Sequence, residues 1–162
     1  MQTDNSTNKK ESSKYTDEFL KQILADIKTI AMVGASPNWN RPSYFAMKYL
    51  QAKGYKVFPI NPMAAGQKIL GEPVYASIEE LPEKVDMVDI FRNSEDAEEI
   101  TKQAVAHGAS VVWMQLGVVN NVAAAHAEEN GLRVVMNRCP KIEFSRLFGE
   151  LSWHGFNSKV IS

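Results

Sequence analysis

Gly34, Ala35 and Ser36 follow the apolar run Thr29–Val33 and lead, through Arg41, into a helical pattern. The chemistry these residue types offer is anion binding. A helix N-terminus above a strand end points unpaired N–H groups at its ligand, a serine adds a hydroxyl, and a planar guanidinium can hold a phosphate through two parallel hydrogen bonds. The surrounding charges agree. Between Asp26 and Glu72 there is no Asp or Glu, whereas Lys28, Arg41, Lys48, Lys53, Lys56 and Lys68 all fall there, in a chain whose formal net charge is −1. The segment suggests a nucleotide-type polyanion.

Other chemistries are poorly served. One cysteine and three scattered histidines do not make a closed zinc site, and no Ser-His-Asp or Cys-His arrangement is evident. His107 suits a helix C-terminus. His126 lies among alanines and His154 near the C-terminus, neither beside a nucleophile. The run Glu95–Glu99 reads as a solvated helix start.

The elements that must position the turn follow from periodicity. A helix is expected from about Asp17 to Ile27, with Phe19, Leu20, Ile23, Leu24 and Ile27 on one face. Strand Thr29–Val33 follows, then a helix from about Ser43 to Lys53 stopped by Gly54, and a strand Lys56–Ile60 ended by Asn61-Pro62. A short extended piece near Val74-Tyr75 and a small helix over 77–81 precede a strand over 86–91. Ser94 is expected to cap a helix running to His107. A strand over 110–115, a helix over 121–130, a strand over 132–136 and a helix near 141–151 complete the series. The later strands are almost continuously apolar, as when both faces of a parallel sheet are covered. The expected fold is therefore α/β: a Rossmann-like, doubly wound, mostly parallel five-stranded sheet with helices on both faces. Ligands of such sheets lie beyond the carboxyl ends of the strands, at the switch in strand order.

With 162 residues, 44% of them hydrophobic and 23% charged, the chain is expected to form one globular domain over 16–152. A frayed arm is expected over 1–15 and a tail over 153–162. The near-neutral charge argues against a nucleic-acid binder. A single cysteine rules out an internal disulfide and suits a reducing cytosol, and no apolar run is long enough to span a membrane.

A dinucleotide fingerprint would place glycines at 34, 36 and 39, but the chain has Gly34, Ser36 and Trp39. The acid that would bind a ribose diol after the second strand is absent, with Asn61 in its place. No Gly-Lys-Ser/Thr follows Gly34, so a P-loop fails as well. The pattern is nucleotide-like without its NAD-specific parts.

Val33-Gly34-Ala35-Ser36-Pro37 with Arg41-Pro42-Ser43 resembles the opening of the small stand-alone CoA-binding proteins. Gly54-Tyr55-Lys56-Val57, Pro59-Ile60-Asn61-Pro62, Gly71-Glu72-Pro73-Val74, Asp89-Ile90-Phe91-Arg92, Trp113-Met114-Gln115-Leu116-Gly117 and Asn137-Arg138-Cys139-Pro140 follow in the same order. The resemblance runs from about Lys28 to Phe148, and the implied fold is similar to the N-terminal domain of the succinyl-CoA synthetase α subunit. It implies that coenzyme A or an acyl-CoA is the ligand. Gly34, Ala35 and Ser36 would offer backbone N–H groups and a hydroxyl to the pyrophosphate, and Arg41 would pair a phosphate. Asn61 and Pro62 would form one wall, Phe91 and Arg92 would border the adenine or the pantetheine arm, and Gln115 and Gly117 would lie nearer the reactive end. The synthetase domain carries a lysine in its second-strand loop where this chain has Met63-Ala64-Ala65, leaving Lys68 as the candidate substitute. Ligase activity is not implied, because the synthetase's phosphohistidine lies in a second domain.

Two readings of Cys139 stay open: a small buried thiol, or a thiol facing that of CoA and able to form a mixed disulfide with it. Trp113 is expected in the core. The function expected is a non-catalytic cytoplasmic carrier, sensor or regulator that binds CoA or an acyl-CoA, with no nucleic-acid or membrane partner. The alternative is an NAD(P)-linked or other nucleotide-dependent enzyme with a diverged fingerprint.

Overall fold

A computed structural model of the chain describes residues 15–149. The expected N-terminal arm, the C-terminal tail and the end of the last helix lie largely outside these residues. The elements are α1 (Asp17–Asp26), β1 (Thr29–Val33), α2 (Pro42–Ala52), β2 (Lys56–Ile60), a 3-10 turn (Pro62–Ala64), β3 (Lys68–Ile69), β4 (Glu72–Pro73) and a second 3-10 turn (Ile78–Glu80). They continue with β5 (Met87–Ile90), α3 (Ala97–His107), β6 (Val111–Met114), α4 (Asn121–Glu129), β7 (Arg133–Val135) and α5 (Pro140–Leu147). These residues fall into two compact units, one spanning Ile27–Ile142 and the other holding the chain on either side of it.

The larger unit carries a five-stranded sheet in the order β2-β1-β5-β6-β7. Every pairing in it is parallel. β3 and β4 form a separate antiparallel pair. The chain steps outward from β1 to β2, then returns across β1 to continue through β5, β6 and β7. The order therefore reverses between β1 and β5. Parallel crossovers are almost always right-handed, so the reversal puts α2 on one face and α3 and α4 on the other.

The packing follows this division. Ala31, Phe58, Val88, Ile90, Val112, Met114 and Val134 form one cluster with Ala97 and Ala104 of α3 and Ala123, Ala124 and Ala127 of α4. The alanines let both helices lie close to the sheet. The buried residues of α2, including Met47 and Leu50, lie outside that cluster. Trp113 is fully buried and its indole N–H donates to Arg138 O at 2.9 Å, which makes it a core residue as expected.

Asp89 is the exception in this interior. It lies on β5 between Met32 and Trp113 in register. It is fully buried, neither carboxyl oxygen has a hydrogen-bond partner, and burial pushes its pKa well above the usual carboxylate range.

Two helix starts differ from expectation. α2 begins at Pro42, which suits a first helical position because its missing N–H is unneeded there. α3 begins at Ala97, and Ser94 does not cap it. The Ser94 hydroxyl instead accepts from Val119 N–H at 3.0 Å and donates to Gly117 O at 3.4 Å, tying the β5 and β6 loops together. His107 accepts from Val85 N–H through Nε2 at 3.0 Å, a structural role at the end of α3.

In the smaller unit, Leu20, Ile23 and Leu24 are the buried face of α1. The Arg146 guanidinium joins Asp17 at 2.9 Å and Glu143 at 2.8 Å, and the Phe144 and Phe148 rings stack at 4.6 Å.

Candidate functional site

The carboxyl ends of β1, β2 and β5 enclose two clefts at the switch in strand order. Gly34 and Asn61 line both. Gly34 has φ +93°, and a Cβ there would stand 2.6 Å from Phe91 O and 3.1 Å from Arg92 Cδ. Only glycine fits, and its absent side chain lets the β1 and β5 loops close against each other. Asn61 locks the third loop in place, donating through Nδ2 to Ala35 O at 2.8 Å and accepting at Oδ1 from Met63 N–H at 2.9 Å.

The first cleft, about 330 Å³, is lined by Ser36, Arg41, Pro42, Ser43 and Phe91 besides the shared pair. It has the character of an anion site: an exposed guanidinium, two hydroxyls and the start of α2. The second, about 360 Å³, has an apolar floor that includes Ile60, Ile78 and Ile100. Arg92, Glu95, Asp96 and Glu99 also line it. Arg92 is held by Asp96, with Nε at 3.1 Å and Nη2 at 2.8 Å from Oδ2. Both side chains are about half exposed, so solvent screens this pair and its strength is modest.

The structure brings Gly34, Ser36, Arg41, Asn61, Pro62, Phe91 and Arg92 together around the two clefts. Ala35 is buried beneath them. The role expected of the turn's N–H groups changes, however. Gly34 N–H and Ala35 N–H both donate to Ile60 O, at 2.9 and 3.3 Å, and Ser36 N–H donates to Ser43 Oγ at 3.1 Å. With those donors engaged, and with Tyr44 N–H and Phe45 N–H both directed at Arg41 O, the groups the first cleft offers an anion are the Arg41 side chain and the Ser36 and Ser43 hydroxyls. Of the six basic residues in the charge-biased segment, Arg41 is the one that lines a cleft. Lys53 lies over the Tyr49 ring at 5.3 Å and Lys56 over the Phe58 ring at 5.2 Å. Lys68, on β3, is exposed and lines neither cleft. Trp39 is 69% exposed on a loop ahead of α2, so it does not occupy a helix–strand contact as the third fingerprint glycine would.

Gln115, Gly117 and Cys139 line neither cleft. Gln115 follows β6 with Oε1 buried and unbonded, Gly117 N–H donates to Asn137 Oδ1 at 2.8 Å, and Cys139 is buried. Sequence reasoning missed Ser43 and the acidic wall of the second cleft. Ser43 stands two residues after Arg41 in the quoted motif, but the acids just before α3 and in its first turn carry no signal that distinguishes them from a solvated helix start. No group of residues suited to holding a metal occurs among the described residues, and none of the described helices is long and apolar enough to cross a membrane.

Fold and clefts together define a Rossmann-like α/β domain with a divided candidate site at its switch point. Residues 28–145 match the CoA binding domain family, and the chain belongs to that family. It is 34% identical over 123 residues to the uncharacterized protein YneT of Bacillus subtilis, covering 76% of this chain and 90% of YneT. A hypothetical protein from Pyrococcus horikoshii superposes with a TM-score of 0.80 at 41% identity, covering 84% of this chain and 94% of that one. A structure from Thermus thermophilus gives 0.79 at 34% identity, covering 83% and 100%. Subunit alpha of an ADP-forming acetate–CoA ligase of Pyrococcus furiosus is 30% identical over 95 residues, which span 56% of this chain and 21% of that subunit.

Proposed function

We propose that this protein binds coenzyme A or an acyl-CoA, as a small non-catalytic carrier, sensor or regulator in the cytoplasm. One observation carries this reading: the division of the switch-point site into an Arg41 cleft and an apolar, acid-walled cleft that share Gly34 and Asn61. CoA has the matching division. Its phosphates suit Arg41, Ser36 and Ser43, where a guanidinium and hydroxyls donate hydrogen bonds. Its adenine suits the isoleucine floor, and Glu95 and Glu99 can accept from the exocyclic amine.

Membership of the CoA binding domain family supports the ligand class. The absence of an acid at the end of β2, where Asn61 is committed to two backbone partners, disfavours a ribose diol bound as in NAD enzymes.

Thermal-shift measurements with CoA, acetyl-CoA, NAD and NADP test the reading. A ligand present at a hundredfold excess over its Kd stabilises by about 2.7 kcal/mol, a rise in Tm of roughly 5–10 °C for a chain of this size. CoA or acetyl-CoA is expected to give that rise. A shift with NADP and none with CoA overturns the proposal.

A further inference from the structure

We propose that Glu99 and Gln103 read the base of the ligand in the second cleft, and that Glu99 makes the site selective for a 6-aminopurine over a 6-oxopurine. This rests on the CoA reading above and adds which side chains choose the base. The cleft follows one face of α3, because Asp96, Glu99, Ile100 and Gln103 line it at helical spacings of three and four. Its near end is at the strand ends. There a Cβ on Gly34 would stand 3.1 Å from Arg92 Cδ, and Arg92 Nη2 is 2.8 Å from Asp96 Oδ2. Gln103 is seven residues beyond Asp96, about 10 Å along the helix. That is close to the span of one nucleoside, so a ligand with its phosphates by Gly34 carries its base to Glu99 and Gln103.

Both side chains are free to pair. Asp96 is taken by Arg92, whereas Glu99 has no partner among the described residues. The Gln103 side chain is half-buried, and its amide is likewise uncommitted among those residues. It shares the cleft with the buried side chains of Ile60, Ile78 and Ile100, which suit the faces of a flat ring. Adenine presents an amine that donates beside ring nitrogens that accept. A glutamine amide matches that edge with one donor and one acceptor. Glu99, one turn before Gln103 on the same face, accepts the second amine hydrogen, and Glu95 is a further turn back. Hypoxanthine replaces the amine by a carbonyl. The Gln103 amide can turn over to meet it, but the Glu99 carboxylate has no hydrogen to give. Two acceptors then face each other unpaired, which is costly at a site partly closed to water. Gln103 therefore holds the base, and Glu99 chooses it.

Isothermal titration of the full chain with CoA and with 6-deamino-CoA, which differs only in carrying hypoxanthine, tests the proposal. CoA is expected to bind the tighter by roughly tenfold or more. Glu99→Gln gives the wall an N–H, and the preference is expected to fall below roughly threefold. Gln103→Leu is expected to weaken both ligands alike, by roughly fivefold, and to keep their ratio. Loss of stability alone would not move that ratio, and neither side chain belongs to the buried core. Equal binding of the two ligands by the unaltered chain overturns this inference and leaves the CoA reading standing. Binding of neither overturns the CoA reading itself. A preference that survives Glu99→Gln, or affinities that Gln103→Leu leaves unchanged, takes the base off this face of α3 and also overturns the inference.

Discussion

Replacing Gly34 by alanine tests the geometry that places the β1 turn against the β5 loop. Gly34 and Gly54 both have a positive φ, +93° and +96°, but their surroundings differ. A Cβ at 34 would lie 2.6 Å from Phe91 O and 3.0 Å from Phe91 C, while a Cβ at 54 meets nothing within 4 Å. Alanine at either position carries the left-handed backbone cost of about 1–2 kcal/mol. Gly34→Ala adds the cost of forcing apart packed backbone, about 1–3 kcal/mol. The expected losses are therefore about 2–5 kcal/mol for Gly34→Ala and about 1–2 kcal/mol for Gly54→Ala. Urea unfolding followed by circular dichroism reads the difference. With a slope of about 2 kcal/mol/M, the Gly34→Ala midpoint should fall below that of Gly54→Ala by about 0.5–1.5 M. Because Phe91 and Arg92 are the groups displaced, Gly34→Ala should also weaken CoA binding, and Gly54→Ala should leave it unchanged. Equal midpoints for the two variants would refute the close-approach argument.

Asp89 makes a second prediction, on pH. Its carboxyl is raised by burial, so the folded chain keeps a proton that the unfolded chain releases. The stability this confers is complete below the unfolded value near pH 4 and is lost as pH rises through the folded value, by up to about 1.4 kcal/mol per unit. Asp89→Asn removes that slope, and parallel stability curves for the two proteins between pH 4 and 8 would contradict it. Arg41→Glu should weaken CoA binding by roughly 10–100-fold and reduce its salt dependence; titration at two ionic strengths checks this, and unchanged affinity removes Arg41 from the site. For Cys139, its burial in a place that lines neither cleft predicts no mixed disulfide with CoA disulfide. Intact mass after treatment settles between the two readings of this thiol, and a CoA adduct would favour the one facing the ligand.

The sequence by itself determined the parallel sheet and pointed to the strand ends where the candidate clefts lie. β1 and β2 match the expected bounds residue for residue, because an apolar run closed by Gly34 or by Asn61-Pro62 has little freedom at its end. The Gly34 turn and Arg41 were equally legible, since the first needs a residue without Cβ and the second is a guanidinium in a segment without acids. Local patterns carry this information because hydrophobic periodicity and turn chemistry act over a few residues. Pairings across the sheet left no such trace. That Ile60 O takes the Gly34 and Ala35 N–H groups, and that Ser43 takes that of Ser36, depends on how β2 and α2 lie against β1. The same holds for Glu95 and Glu99, which look like any solvated helix start until α3 brings them to the apolar floor made by Ile60, Ile78 and Ile100. Asp89 sits in an apolar strand whose sequence shows only that the strand is buried, and only the packing around it denies the carboxyl a partner. The tertiary structure alone decided which donors remain for a ligand and where the acids meet apolar surface, because both depend on contacts between residues far apart in the chain.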